Sequence, residues 1–345
     1  MENQKMSLEL KAELICSGAL YIPPEIKLKF PTSRSSAGPG AGSQSIVICF
    51  SSSRVKMPIS RNEGELELCQ QDDERFEIVR DEKVLVSDVT LQPTLCHAPG
   101  QAFICLGRSC TMGCLYCTIN EANEKSKENL TIEKAFDLIM ANSKRPDFKA
   151  VAITSGISTT IEDQIDQIAR LISMIRERLP SIPIGVEPLA TCKEHLTILK
   201  QAGATEAKVN LEAARREIFK KVCPRRDYEE TINSIELAVE EFGPGAVTSN
   251  IIIGLGEDDA DICAALEMLA DVGAVGNLRK LRTNSHNLER LTSALGEITP
   301  INGSRLIRLA KMQEEILRHY GLSTKSFKSM CFSCGCCDLV PGIDL

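Results

Sequence analysis

From Gln101 onward the chain alternates short apolar runs with amphipathic segments, and this alternation limits the fold more than any other feature. Apolar runs at Ala150–Thr154, 182–186, 206–211, Val247–Ile253 and 277–282 read as strands. Between and after them, 161–179, 193–201, Tyr228–Phe242, 259–272 and 304–320 read as helices. In the first of these helices Ile161, Ile165, Ile168, Ile172, Ile175 and Leu179 recur at helical spacing, and Pro180 stops it. Strand–helix alternation predicts right-handed βα units around a parallel sheet. About six units are present, short of the eight of a closed barrel, so the fold class expected is α/β, a partial (β/α)6 TIM-like barrel. In such sheets chemistry gathers at the C-terminal ends of the strands, so motifs there carry the most weight.

The first 95 residues differ. Residues 33–44 are rich in Ser, Gly, Ala and Pro and read as a loop. Short β-like runs follow at 45–51, 54–59, 65–68, 76–79 and 83–86, predicting a small antiparallel layer. Three regions result: 1–95, an N-terminal β-rich region; 96–325, the partial barrel; and 326–345, a cysteine-rich tail. The net charge of −7 argues against nucleic-acid binding. No apolar run reaches 18 residues, and the polar first eleven residues lack a secretory core, so a cytoplasmic protein is expected, with no membrane association.

Fifteen cysteines are too many for an ordinary cytosolic enzyme, and they cluster. Four fall between Cys105 and Cys117, and four between Cys331 and Cys337. Ligand-like clustering in a chain without a secretory signal favours metal over disulfides. Cys110, Cys114 and Cys117 form C-x3-C-x2-C, with three soft thiolates on one loop. Three ligands suit a [4Fe–4S] cubane with one iron left open, whereas structural zinc wants a fourth ligand that neither Cys105 nor His97 supplies at a common spacing. At the tail, Cys331, Cys334 and Cys337 form C-x2-C-x2-C, with Cys336 as an extra thiol. A second [4Fe–4S] cluster is expected there, and a zinc knot of all four cysteines is the alternative. Cys16, Cys49, Cys69, Cys192 and Cys263 read as buried thiols.

The C-x3-C-x2-C motif resembles that of the radical S-adenosylmethionine (SAM) superfamily. The resemblance implies that the open iron binds SAM and that reductive cleavage gives a 5′-deoxyadenosyl radical. It implies that Tyr116 contacts the adenine and that Ser155-Gly156 lies near the SAM amino group. Glu187 would bond the ammonium or the ribose. Asn210 and Glu212, alternating on a strand, would grip ribose hydroxyls. Gly254 and Gly256 would lie at the adenine-binding strand.

The stretch from Asn210, with Val222, Pro224, Asp227-Tyr228 and then Gly254–Glu257 in order, resembles the lipoyl and biotin synthase branch over about half of the chain. Cys223 stands where that branch tends to have Arg. The N-terminal Arg34-Ser35-Ser36, the Cys96-His97-Ala-Pro-Gly stretch and the cysteine tail together resemble one subunit of the archaeal two-protein lipoyl synthase. That resemblance implies Ser35 (or Ser36) as a labile ligand of the tail cluster, which would serve as sulfur donor to C6 or C8 of an octanoyl chain on a carrier-protein lysine. It also implies a second radical SAM subunit and an electron donor as partners. Alternatives are biotin-synthase-like sulfur insertion, another radical SAM modification that uses the second cluster for electrons or substrate binding, and a non-catalytic iron–sulfur scaffold. Arg215, Arg216, Lys220, Lys221, Arg225 and Arg226 form a basic run suited to an acidic carrier or to a solvated helix face.

Overall fold

A computed structural model describes residues 2–35, 38–121 and 130–345. The chain opens with helix α1 (Glu2–Cys16), which the sequence pattern does not announce because Lys11, on its inner face, is only 2% exposed. Helix α1 ties two cores together: Leu8 and Ala12 join one, Leu14 the other.

Strands β1 (Leu20–Tyr21), β2 (Ser33–Arg34), β3 (Gln44–Phe50), β4 (Ser53–Ser60), β5 (Leu66–Gln70), β6 (Phe76–Arg80) and β7 (Lys83–Gln92) form one sheet in the order β2-β3-β4-β1-β5-β6-β7. Because β3 also pairs with β7, six of these strands close into a ring. The layer is not purely antiparallel as expected: β1 pairs in parallel with both β4 and β5. Closure has a physical reason, since it removes the unpaired edges of an open sheet. The loop expected at 33–44 contains β2 and a single 3-10 turn at Gly38–Gly40. On β4 the alternation decides a later point. Val55 and Met57 enter the core of the ring, and Lys56 between them points the other way.

The second sheet contains β8 (Gln101–Cys105), β9 (Ala150–Thr154), β10 (Ile184–Glu187), β11 (Glu206–Lys208), β12 (Val247–Ile253) and β13 (Val275–Lys280). All pairings are parallel and the order is sequential, with no pairing of β8 to β13 among the described residues. Helices α2 (Ile132–Ser143), α3 (Ile161–Arg178), α4 (Lys193–Ala202), α5 (Arg216–Val222), α6 (Tyr228–Phe242), α7 (Asp259–Asp271), α8 (Leu288–Leu295) and α9 (Gly303–His319) follow in turn. The caps are local chemistry: Thr160 accepts from Asp163 N, Asp227 from Glu229 N and Glu230 N, and Asp258 shares a capping box with Asp261. Each such cap contributes about 1 kcal/mol. Strand β11 ends earlier than its apolar run predicts. Pairing resumes only at the Glu212–Ile251 bridge, where Glu212 has φ 69°, so Asn210 and Glu212 lie beyond the strand rather than alternating on it.

On β10, Ile184 and Val186 enter the core shared with the helices, so Gly185 and Glu187 face the opposite side. The tail occupies that side. The Glu206 carboxylate, at the start of β11, accepts from Lys328 N (2.6 Å), Ser329 N (3.0 Å) and Ser329 Oγ. Gln101 Nε2 donates to Met330 O at 3.0 Å. Position 185 must be Gly, because a Cβ there would overlap Ser329 Oγ and sit 2.6 Å from Met330 Cγ. The tail then forms the short helix α10 (Met330–Cys334). Its far side is held by α1 and β4: Lys11 Nζ donates to Gly335 O (2.8 Å), Arg54 Nη2 to Ser333 O (2.9 Å) and Lys56 N to Cys336 O (2.8 Å). No helix among the described residues is long and apolar enough to cross a membrane.

Candidate active site

The loop after β8 carries Cys110, Cys114 and Cys117, and its backbone is held both from within the loop and by residues distant in sequence. Asn120 clamps Cys110 from both sides, accepting from its N–H at 2.8 Å and donating to its carbonyl at 2.9 Å. Asn287 Nδ2 donates to Tyr116 O at 2.9 Å, and Arg290 donates to Leu115 O (2.7 Å) and Cys117 O. Beneath the loop, Tyr116 packs with Phe219, Val222 and Leu291. The next loop presses on it closely. Gly107 N–H donates to Ser155 Oγ (2.8 Å) and Gly156 N–H to Gly107 O (2.9 Å), and a Cβ on Gly156 would overlap Ser109 O. These loops therefore need glycine for close approach rather than for a turn.

A cavity of about 300 Å³ opens here at the C-terminal ends of β9 to β13. Cys110, Cys114 and Cys117 line it, together with Tyr116, Ser155, Gly156, Glu187, Asn210 and Glu212. Cys331, Cys334, Cys336, Cys337 and Ser35 line it as well. The two cysteine clusters, more than two hundred residues apart in sequence, thus face one space. Gly254 and Gly256 are not in its lining. The Gly254 and Leu255 amides donate instead to the buried Glu257 carboxylate at 2.7 and 2.8 Å, which turns that segment away. Ser36 lies outside the described residues.

The polar side chains form two linked groups. Asn210 Nδ2 donates to Glu187 Oε1 at 2.7 Å, and Lys208 Nζ pairs with the same carboxylate at 3.1 Å. Arg226 donates to Asn210 O at 2.9 Å and pairs with Glu212 at 3.4 Å. Burial pushes the Glu212 carboxyl up from its ordinary range. Arg226 therefore leaves the basic run that the sequence presents as one face, while Arg215, Arg216, Lys220, Lys221 and Arg225 are exposed. Tyr116 Oη lies 3.8 Å from Cys223 Sγ. A hydrogen bond from Cys223 holds the Cys114 thiol below its ordinary value, whereas burial pushes Cys117 up to about 12.

Around the tail cysteines the environment is cationic. Cys331 Sγ has Lys208 Nζ at 3.5 Å and Arg279 Nη1 at 3.6 Å, and Arg279 pairs with Asp338 at 2.8 Å. A hydrogen bond from Cys336 lowers the Cys334 thiol, against the opposing effect of burial. Lys56 is 3% exposed, and its Nζ donates to His97 O (2.6 Å), His97 Nδ1 (3.0 Å) and Ser33 Oγ (3.1 Å). Burial pulls the Lys56 ammonium down to about 8, opposed by the thiols of Cys337 and Cys334. Ser35 Oγ lies 3.4 Å from His97 Nδ1. Sequence reasoning missed Lys56, His97, Lys208 and Arg279, as well as the loop clamps Asn120, Asn287 and Arg290. Asn120 stands in the cysteine loop itself and His97 in the Cys96-His97-Ala-Pro-Gly stretch, but nothing local marks their roles, and the others act on segments folded against them from elsewhere. Cys16, Cys49, Cys69, Cys192 and Cys263 are half-buried rather than buried, since they sit on element surfaces.

Residues 104–269 match the model of the radical SAM superfamily. The chain carries a radical SAM domain. Curated relatives of the radical SAM domain include lipoyl synthases. The apicoplast lipoyl synthase of Toxoplasma gondii is 28% identical over 49% of this chain and 31% of its own length. A probable GTP 3′,8-cyclase of Thermococcus kodakarensis is 26% identical over 52% of this chain and 55% of its own. The chain thus spans between about a third and just over half of the curated relatives it matches. Among solved structures, the FeFe-hydrogenase maturase HydG from Carboxydothermus hydrogenoformans superposes with a TM-score of 0.53 at 17% identity, covering 65% of this chain and 52% of that one. That likeness concerns the fold alone.

The radical SAM family implies a [4Fe–4S] cluster and SAM. Among the described residues no three His, Cys, Asp or Glu side chains converge on a single metal ion. A cubane asks for something else: separate thiolates spread around it, each on its own iron. Cys110, Cys114 and Cys117 on a clamped loop at the cavity wall fit that demand, and beside them are the polar groups a zwitterionic nucleoside needs.

Proposed function

We propose that this protein inserts sulfur into the octanoyl chain carried on a lysine of a lipoyl carrier protein. In this reading the six-stranded sheet is a partial barrel spanning 96–325, with 1–95 and 326–345 closing its open face. The observation that carries the reading is the shared cavity: Cys110, Cys114 and Cys117 on one wall, Cys331, Cys334, Cys337 and Ser35 on another. When bound, the first cluster with SAM would supply a 5′-deoxyadenosyl radical and the tail cluster a sulfide. The chain's own residues bind and orient. Tyr116, Ser155, Gly156, Glu187, Asn210 and Glu212 would hold SAM, with Arg226 fixing Glu212 and Asn210 in place. An unactivated C–H bond is beyond acid–base chemistry, so the site's task is proximity and exclusion of water. A buried, cation-rich surround for the tail thiols favours a negatively charged cluster, because a buried charge without an opposite one is costly. An octanoylated carrier, a second radical SAM subunit and an electron donor are the partners proposed.

The match to a GTP 3′,8-cyclase favours a second reading, in which the tail cluster binds a purine nucleotide. The test is anaerobic: reconstituted protein, SAM, reductant and an octanoyl-lysine peptide, with and without a partner subunit, and GTP in a parallel tube. A mass gain of one or two sulfurs, lost in the Cys331/Cys334/Cys337→Ala variant while 5′-deoxyadenosine still forms, supports sulfur insertion. Deoxyadenosine with an unchanged peptide in every tube overturns it, and consumption of GTP installs the second reading.

A further inference from the structure

The cations facing the tail cysteines are not equivalent. Lys208 has the Glu187 carboxylate at 3.1 Å, and Arg279 has Asp338 at 2.8 Å. Their charges are locally balanced. Arg54 and Arg282 border the same region but are partly open to water, which screens them. Lys56 is different. It is 3% exposed, and no carboxylate stands within ion-pair distance of it among the described residues. An ammonium has three donors, and all three of Lys56 are spent on neutral acceptors: the His97 carbonyl, His97 Nδ1 and Ser33 Oγ. Its backbone N–H is bonded to Cys336 O at 2.8 Å, so β4 holds this charge in register with the cysteine loop.

We propose that Lys56 is a positioning charge for the tail cluster, a fixed and uncompensated cation that raises the cluster's reduction potential without bonding to it. This rests on the reading of the tail as a cluster site and goes beyond it by naming what sets the cluster's electron affinity. The physical basis is simple. Each added electron makes a thiolate-bound cluster more negative, and a buried positive charge stabilises the more negative state. With its donors saturated by His97 and Ser33, Lys56 has no hydrogen left for a sulfide, so its action is through charge alone. His97 is the orienting group: its carbonyl and Nδ1 both face the ammonium, and accepting at Nδ1 leaves the ring proton on Nε2. The neighbouring Ser33 supplies the third acceptor, so the ammonium does not draw on Ser35, whose Oγ lies 3.4 Å from His97 Nδ1 and which lines the cavity.

The experiment uses the full chain with Cys110, Cys114 and Cys117 replaced by Ala, so that any cluster reconstituted is the tail cluster. Iron content, EPR and a spectroelectrochemical titration are read for this parent and for Lys56→Met, Lys56→Arg and Lys208→Met added to it. Lys56→Met should cut the reduced-to-oxidised ratio at a fixed potential at least tenfold, about 59 mV for a one-electron couple. Lys56→Arg should keep the parent value. Lys208→Met should shift it less than Lys56→Met, because Glu187 already balances that charge. A parent that binds no iron–sulfur cluster overturns the tail-cluster reading itself. An intact cluster whose potential is the same in Lys56→Met as in the parent overturns the role of Lys56 alone. Should Lys56→Met fail to hold a cluster, a Lys56→Arg potential that departs from the parent as far as Lys208→Met does also overturns it, and an unchanged one supports it.

Discussion

Replacing Lys11 by Met tests how the tail is held against the rest of the molecule. Lys11 lies on α1 and Asp344 next to the last residue of the chain, and their side chains are 2% and 5% exposed. The ammonium bonds both carboxylate oxygens, at 2.8 and 2.7 Å, and the carbonyl of Gly335 at 2.8 Å. Taking the ammonium away leaves a buried carboxylate whose remaining partner is the Val340 N–H at 2.7 Å. Breaking a buried pair from one side costs about 3–5 kcal/mol, far more than the 0–1 kcal/mol of an exposed pair. Lys11→Met should therefore lower unfolding free energy by an amount in that range in the metal-free protein, measured by urea titration. Lys11→Met combined with Asp344→Leu should cost less than the sum of the two single changes, with a coupling of about 0.5–3 kcal/mol. Alkylation of Cys334 and Cys337 should speed up in the single variant, because Gly335 O loses its donor. A loss below about 1 kcal/mol, or single changes that add within about 0.5 kcal/mol, would refute the reasoning: the pair would then be acting as a solvated surface contact.

Other consequences follow from the same geometry. Gly156→Ala drives a Cβ into Ser109 O, next to Cys110, so it should cost about 1–3 kcal/mol and reduce iron incorporation at the first cluster, read by iron content and EPR; normal incorporation would show that the two loops can part freely. Gly185→Ala should weaken the tail's seat on β10 by a similar amount while leaving SAM cleavage intact, measured by urea titration and 5′-deoxyadenosine yield. Lys56 also predicts a pH dependence in the metal-free protein. Its ammonium is lowered from 10.5 to about 8 in the fold, so between those values the unfolded chain binds more protons than the native one. Stability from this group therefore rises with pH from about 8 to about 10.5, by roughly 3 kcal/mol in all, and Lys56→Met should remove that rise. Equal pH profiles for the two proteins would sink the assignment.

What the sequence determines by itself is what short-range periodicity and ligand spacing encode. The isoleucine stripe of α3 and the helical segments that became α6 and α7 are local and appear where the sequence predicts helices, and the caps at Thr160, Asp227 and Asp258 that start them are equally local chemistry. The C-x3-C-x2-C run is a ligand set in eight consecutive residues, so the radical SAM domain is legible without any fold. Periodicity already fails at β11, where the left-handed Glu212 interrupts a run that reads as one strand. It fails at Gly254–Gly256, where a neighbouring carboxylate takes the amides that a glycine turn would offer a ligand. It gives no hint of α1, whose buried lysine makes sense only against the tail more than three hundred residues away. Only the tertiary structure decides that both cysteine clusters and Ser35 share a cavity, that Arg226 turns inward from a basic run, and that Lys56 faces the tail with no opposite charge. Side-chain chemistry is written residue by residue, but the field at a buried point is the sum of charges brought there by segments distant in sequence, and no local pattern carries that sum.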